Sequence, residues 1–272
     1  MTKLAVLGGG KMGEALVAGL LTSGSWKPEE IVVSDVRSDR LSELAGRYSV
    51  ATTRDNLDAV ADVELIVIAV KPQDMEGLLA EIAASVRPDQ VVVSIAAAIT
   101  TRFIEQRLEK PVPVVRAMPN TASLVHEGMT GLAGGSHAGD AEVARAGEVL
   151  ERVGRVVTVS ESHLDAVTAI SGSGPAYFAL LAEAMIEAGL LLGLSRDVST
   201  ELVVQTMLGS AKLLRDGGLH PVELREMVTS PGGTTTRAVR VLEHSGVRAA
   251  FLDAIRAAME RAQELAAPDS SP

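Results

Sequence analysis

LAVLGGGKMGEALVAGL, residues 4–20, decides how the rest of the chain is read. An apolar run from Leu4 to Gly8 is followed at once by Gly8-Gly9-Gly10-Lys11-Met12-Gly13, a G-x-G-x-x-G pattern, and then by apolar residues at helical spacing. A strand before and a helix after give the pattern its meaning. The glycines let the backbone turn tightly and approach a pyrophosphate at the helix N-terminus. The reading is a dinucleotide site; a glycine-rich strand-to-helix turn without ligand is the plainer alternative.

The same alternation continues outward. IVVS (31–34), ELIVIAV (64–70), VVVSIA (91–96) and VPVVRAM (112–118) are continuous β-branched runs, as strands buried on both faces should be. KMGEALVAGLLTSG, RSDRLSELAGRY and MEGLLAEIAASV between them carry helical periodicity. Strand and helix in turn predict an α/β fold with a Rossmann-type, doubly wound, mostly parallel sheet. Near GRVVTVSESHLDAV (154–167) the pattern becomes nearly continuous helix through Gln263, with Ser195 and Gly217-Gly218 as punctuation and APDSSP as a frayed tail. The expected division is residues 1–160 for the dinucleotide and 161–272 for an all-helical domain.

Composition narrows the partners. Of 272 residues 47% are hydrophobic, 22% charged and 2% aromatic, so the core should be aliphatic and filled with Met. A formal charge of −10 argues against general nucleic-acid binding, because phosphate neutralisation needs a basic surface. There is no cysteine, the five histidines are scattered without metal spacing, and Met1-Thr2-Lys3 runs into a strand without a leader. A cytoplasmic protein without a metal site is expected. AYFALLAEAMIEAGLLLGL (176–194) is apolar enough to suggest a membrane span, but Glu183 and Glu187 near its middle would be costly in lipid. It reads as a helix buried in a protein interface.

Further features gather at strand ends. In VSDVRSDR, Asp35 suits ribose hydroxyls while Arg37 or Arg40 suits a 2′-phosphate; the balance falls slightly toward NADP over NAD. Lys71-Pro72-Gln73, SIAAAIT (94–100) and RAMPNTA (116–122) follow successive strands, at the carboxyl end where such sheets bind ligands. Glycines and a proline in ISGSGPAYFALL (170–181) mark either a tight helix crossing or a ligand contact. In TSPGGTTTRAVRVLE (229–243), Pro231 at or near the first helical position, unpaired N–H groups and threonine hydroxyls make either an anion site or a bare capping turn.

VLGGGKMGEAL, AVKPQ, VSIAAAIT, RAMPNTA, DAVTAISGSGPAYF and VTSPGGTTTRAVRVLE, in this order and across nearly the whole chain, resemble pyrroline-5-carboxylate reductases. The resemblance implies a Rossmann domain, a helical dimerisation domain and reduction of 1-pyrroline-5-carboxylate to L-proline by NAD(P)H. It places the pyrophosphate on Gly8, Gly10, Lys11, Met12 and Gly13. Nicotinamide contacts fall on Ala69, Val70, Lys71, Pro72, Ala96 and Ala97, and a further cofactor contact on Asn56. The substrate loop falls on Ser230, Gly232, Gly233, Thr234 and Thr235, with Met118 and Asn120 facing it from the first domain. The family often has Asn-Arg where this chain has Asp35-Val36, and usually Gly where it has Ala98; a small local repacking is expected at the latter.

A protonated cyclic imine is already a good hydride acceptor, so the protein must mainly bind, orient and exclude water. N–H groups of Gly233 to Thr235 should hold the substrate carboxylate, and the Thr235 hydroxyl the ring nitrogen, as the catalytic contact. A hydroxyacid dehydrogenase would be expected to place Lys or His at the crevice to handle a hydroxyl proton, and the SPGGTTT loop has none; a nucleotide-sensing module would not need a second anion site. LLAEAMIEAGLLLGL and ELVVQTMLGSAKLL carry more apolar surface than a short bundle can cover. The expected assembly is an obligate homodimer with interleaved helices, open to further association, with the active site at the domain junction.

Overall fold

The computed structural model describes residues 3–266, so the expected frayed tail at 267–272 lies outside the described residues. The described residues divide into two compact units, 3–173 with 258–266, and 174–257.

The first unit is built on a sheet. Among the described residues its strands are β1 (Leu4–Leu7), β2 (Ile31–Ser34), β3 (Ala51–Thr53), β4 (Leu65–Ile68), β5 (Val91–Ser94), β6 (Val114–Met118), β7 (Gly128–Gly134) and β8 (Gly154–Thr158), in the order β3-β2-β1-β4-β5-β6-β7-β8. Neighbours from β3 to β6 are parallel, β7 is antiparallel to β6, and β8 is parallel to β7. Chain order reverses beside β1, between β2 and β4, which is where open parallel sheets leave a crevice at their carboxyl ends.

Helices α1 (Lys11–Thr22), α2 (Ser38–Tyr48), α3 (Asn56–Ala61), α4 (Met75–Ile82), α5 (Thr101–Glu105), α6 (Asp140–Leu150) and α7 (Leu164–Val167) accompany the strands. Alternate residues of β1 explain the continuous apolar run: Leu4 and Val6 pack with Leu16, Leu20 and Val149 on one face, Ala5 and Leu7 with Val60, Met75 and Leu79 on the other. The core is aliphatic as expected, but not filled with Met. Among the described residues Met75 is the one methionine in it. The expected helix from 154 onward is also corrected, because Gly154–Thr158 pairs with β7 as an edge strand. GRVVT is a β-branched run of strand length, and its pairing wins over the helical pattern that follows it.

The second unit comprises α8 (Gly174–Leu191), α9 (Arg196–Arg215), α10 (Pro221–Met227), α11 (Thr234–His244) and most of α12 (Val247–Ala266). Ser195 caps α9, its hydroxyl accepting from Val198 N at 3.3 Å, and Gly218 turns the chain after it with φ +65°. Gly189 lets α8 meet α9 at Ser199. Among the described residues of this unit Val203 is the one buried hydrophobic side chain, whereas Phe178, Leu180, Leu191 and Leu192 are 63–89% exposed. A single copy of these helices does not make a core.

Candidate active site

The glycine loop has two kinds of position. Gly8 leaves β1 with φ +110°, and a Cβ there would stand 2.8 Å from the Ala69 backbone, so a side chain is excluded on both counts. At Gly13 a Cβ would stand 2.2 Å from Gly8 O, which is how α1 packs onto the loop. Gly10, by contrast, faces open space. It is the N-cap of α1 without a capping side chain, so the first-turn N–H groups remain available to an anion.

Around this loop lies a crevice of about 660 Å³. Of the residues expected at the cofactor, Gly8, Gly10, Asp35, Arg37, Asn56, Ala69, Val70 and Lys71 line it together, with Gln73 from the Lys71-Pro72-Gln73 strand end, and joined by Ser34, Val36 and Asp74, which sequence reasoning missed. Lys11, Met12 and Gly13 continue the loop into α1, and Pro72 begins the short turn before α4. Asn56 is held at both ends of its amide, by Ser34 Oγ at 2.6 Å and Glu81 Oε2 at 2.8 Å.

The two arginines considered for a 2′-phosphate separate cleanly. Arg40 donates to Gly9 O at 2.6 Å, pairs with Glu14 and Glu43, and its side chain is 12% exposed. That guanidinium is a bracket for the glycine loop. Burial works to raise the Glu14 carboxyl, but hydrogen bonds from Arg40, Arg47 and Tyr48 outweigh it and hold the group below its ordinary value. Arg37 is the one at the crevice, its side chain 56% exposed and 3.3 Å from Asp35 Oδ1. Asp35 also accepts from Gly9 N and Arg37 N, both at 2.9 Å, so its carboxylate braces the loop as well as lining the crevice.

Ala96, buried, and Ala97, exposed, follow β5 one strand further along. Ala98 has φ +62°, so the departure from glycine is a matter of backbone conformation, and the expected repacking is corrected to a strained left-handed residue. Met118 ends β6 with its Cε 2.9 Å from where a Gly172 Cβ would stand. Asn120 donates through Nδ2 to Ser171 O and Oγ at 3.1 and 3.2 Å and accepts from Met129 N at 3.2 Å, so its amide works as a strut. Residues 168–172 make one π-helical turn, which ends on Gly172 of ISGSGP.

The second candidate site lies wholly in the helical unit. Ser230-Pro231-Gly232-Gly233 forms a turn closed by Gly233 N to Ser230 O at 3.0 Å, with Gly232 at φ +70°. Pro followed by a positive-φ Gly is the type II arrangement. Two expectations change as a result. The helix starts at Thr234, three residues beyond Pro231, because the proline belongs to the turn. The Gly233 N–H closes the turn, which removes it from the donors expected to meet a carboxylate. Gly233 is the N-cap, without a capping side chain, and Thr236 Oγ1 donates to Ser230 O at 2.6 Å. The N–H groups of Thr234 and Thr235 open this helix, beside the half-buried Thr235 side chain.

Sequence reasoning also passed over a buried charge. Arg116 on β6 is 4% exposed and lies 3.6 Å from Glu161 and 3.5 Å from Asp165. Its signal was present: a lone Arg in an apolar strand must find a carboxylate. Among the described residues no group of three His, Cys, Asp or Glu could hold a metal ion.

Residues 161–265 match the family model described as pyrroline-5-carboxylate reductase dimerisation, and residues 3–98 one described as NADP oxidoreductase coenzyme F420-dependent. The chain is 43% identical to a pyrroline-5-carboxylate reductase of Mycobacterium tuberculosis, over 97% of each. Its structure is similar to that of a pyrroline-5-carboxylate reductase from Coxiella burnetii, with TM-score 0.93 at 37% identity over 98% of this chain and 99% of that one. The NADP-bound pyrroline carboxylate reductase of Plasmodium falciparum gives TM-score 0.86 at 27% identity over 98% of both.

Proposed function

The chain belongs to the pyrroline-5-carboxylate reductase family, and from that premise we propose how its residues divide the NAD(P)H-dependent reduction of 1-pyrroline-5-carboxylate to L-proline, the last step of proline biosynthesis, between a cofactor crevice and a substrate cradle. Residues 1–160 serve the cofactor, and residues 161–272 the substrate and self-association. The apolar surface of α8, long and apolar enough by composition to cross a membrane, is covered by a second copy in the homodimer instead. We place this soluble enzyme in the cytoplasm.

The crevice fits a dinucleotide. Gly10 is open where a side chain would obstruct a pyrophosphate, and the uncapped α1 N-terminus supplies donors. Asp35 and Arg37 hold the adenosine ribose, with Arg37 the contact for a 2′-phosphate when the cofactor is NADPH. Asn56 supports the same end. Ala69, Val70, Lys71 and Pro72 with Ala96 and Ala97 shape the nicotinamide end, where small and apolar groups exclude water. Bound there, the cofactor supplies the hydride.

The substrate's single carboxylate goes to the N–H groups of Thr234 and Thr235, assisted by the helix dipole. Ser230, Gly232 and Gly233 give the cradle its shape, and the Thr235 hydroxyl accepts from the ring N–H, which fixes the ring face offered to the hydride. Met118 packs and Asn120 braces the β6 loop. The observation that carries this reading is the uncapped helix start behind a closed type II turn: its donors are free and its geometry is set. Losing one hydrogen bond to a charged partner costs about 1.5 to 3 kcal/mol, so Thr235→Ala should lower kcat/KM by roughly ten- to a hundredfold while cofactor affinity stays within about twofold. Parental kcat/KM in a protein that melts like the parent would make the loop a helix cap and nothing more.

A further inference from the structure

Glu161 makes contacts that neither the cofactor crevice nor the substrate cradle uses. It opens the short turn after β8, yet its two carboxylate oxygens reach sixty positions back, accepting from Thr101 N and from Thr101 Oγ1, each at 2.7 Å. Thr101 is 4% exposed and begins α5. The segment just before it, Ala96–Thr100, is the loop assigned to the nicotinamide. Its near end is fixed by the sheet, where Ile95 N donates to Ile68 O at 3.1 Å. In its middle sits Ala98 at φ +62°, a conformation that persists only if the ends are held.

The simpler role for Glu161 would be to neutralise buried Arg116, and distances decide against it as the main one. Arg116 is 3.6 Å from Glu161 and already has Asp165 at 3.5 Å, whereas both bonds from Thr101 are short and charge-assisted. Arg116 instead sets Glu161 from behind, on the one buried cation of β6.

We infer that Glu161 is a positioning residue for hydride transfer: acting through Thr101, it holds the far end of the Ala96–Thr100 loop and so the surface against which the nicotinamide rests. This rests on the assignment of Ala96 and Ala97 to the nicotinamide. The pyrophosphate and adenosine contacts lie on other loops and should not sense the change.

Glu161→Gln keeps the shape and loses the charge together with one of the two acceptors. In the intact dimer, kcat should fall about ten- to thirtyfold, with the NAD(P)H dissociation constant and the KM for 1-pyrroline-5-carboxylate within about twofold. The deuterium isotope effect on kcat, measured with cofactor labelled at the transferred position, should rise as the hydride step becomes limiting; a merely structural loss of folded enzyme would not move it. Thr101→Val should reproduce both changes and Thr101→Ser should restore the parental values, which tests the idea even if the Glu161 variant fails to fold. The double variant Glu161→Gln/Thr101→Val should be no worse than either single one. Unchanged kcat and isotope effect in Thr101→Val, or additive losses in the double variant, would overturn the role of Glu161. Ala97→Val separates the underlying reading: if it impairs cofactor use while Glu161→Gln does not, Glu161 alone loses its role; if it changes nothing, the nicotinamide assignment is wrong.

Discussion

Replacing Ala98 by glycine should make this enzyme more stable, against the usual effect of adding a glycine. Ala98 is held at φ +62° in the loop after β5. The left-handed region costs an L-residue about 1–2 kcal/mol, through crowding of Cβ against the neighbouring carbonyl. Glycine removes that cost but gives the unfolded chain more freedom, worth about 0.4–1 kcal/mol in the opposite direction. The balance is a gain of about 0.5–1 kcal/mol, which for a unit of this size is a rise in Tm of roughly 1–4 °C. The assay is thermal unfolding of parent and Ala98→Gly at one protein concentration, because association contributes to the midpoint. Ala97→Gly is the internal control: Ala97 is outside the left-handed region, so there only the unfolded-state term acts and Tm should fall. If Ala98→Gly melted at or below the parental temperature, the strained conformation assigned to this loop would be wrong.

Arg37→Ala should weaken NADPH while leaving NADH nearly untouched, whereas Arg40→Ala should weaken both and lower Tm, because Arg40 brackets Gly9 and Glu14; equal losses for both cofactors in Arg37→Ala would remove that residue from the 2′-phosphate. Glu14→Gln should cost about 1–2 kcal/mol at neutral pH. The Glu14 carboxyl is depressed below its ordinary 4.5, so its contribution is present above that value and is lost as pH falls through the depressed one; denaturation of parent and variant should converge in acid, and a gap independent of pH would refute the charge network. Gly233→Val should abolish productive substrate binding with cofactor affinity retained, since its Cβ would press on Ser230 Oγ at 2.4 Å and open the turn; saturation at the parental substrate concentration would contradict this.

The parts of the fold that follow from local pattern were legible, and those fixed by tertiary contact were not. β1, β2, β4, β5 and β6 are runs of apolar residues because both faces are covered, and that leaves a plain trace in sequence. β7 reads GMTGLAG, three glycines in seven residues; its pairing with β6 and the close packing of Gly131 against Val167 make it a strand, and neither is a local property. The glycine loop could be placed because its spacing carries its geometry. Arg37 and Arg40 could not be told apart, being three residues apart on the same segment; only Gly9 O, Glu14 and Glu43 around one of them make the difference. Glu161 was out of reach for the same reason, since its partner Thr101 is sixty positions distant.

The thin interior of the helical unit has a kinetic meaning. With Val203 as the one buried hydrophobic side chain of that unit among the described residues, a lone copy has little to condense around, and most of the burial that could drive its ordering must come from a second chain. Refolding from denaturant should therefore separate into a fast unimolecular phase, in which the sheet unit closes, and a slower bimolecular phase whose half-time shortens in proportion to protein concentration. Subunits once paired should exchange no faster than the helices unfold.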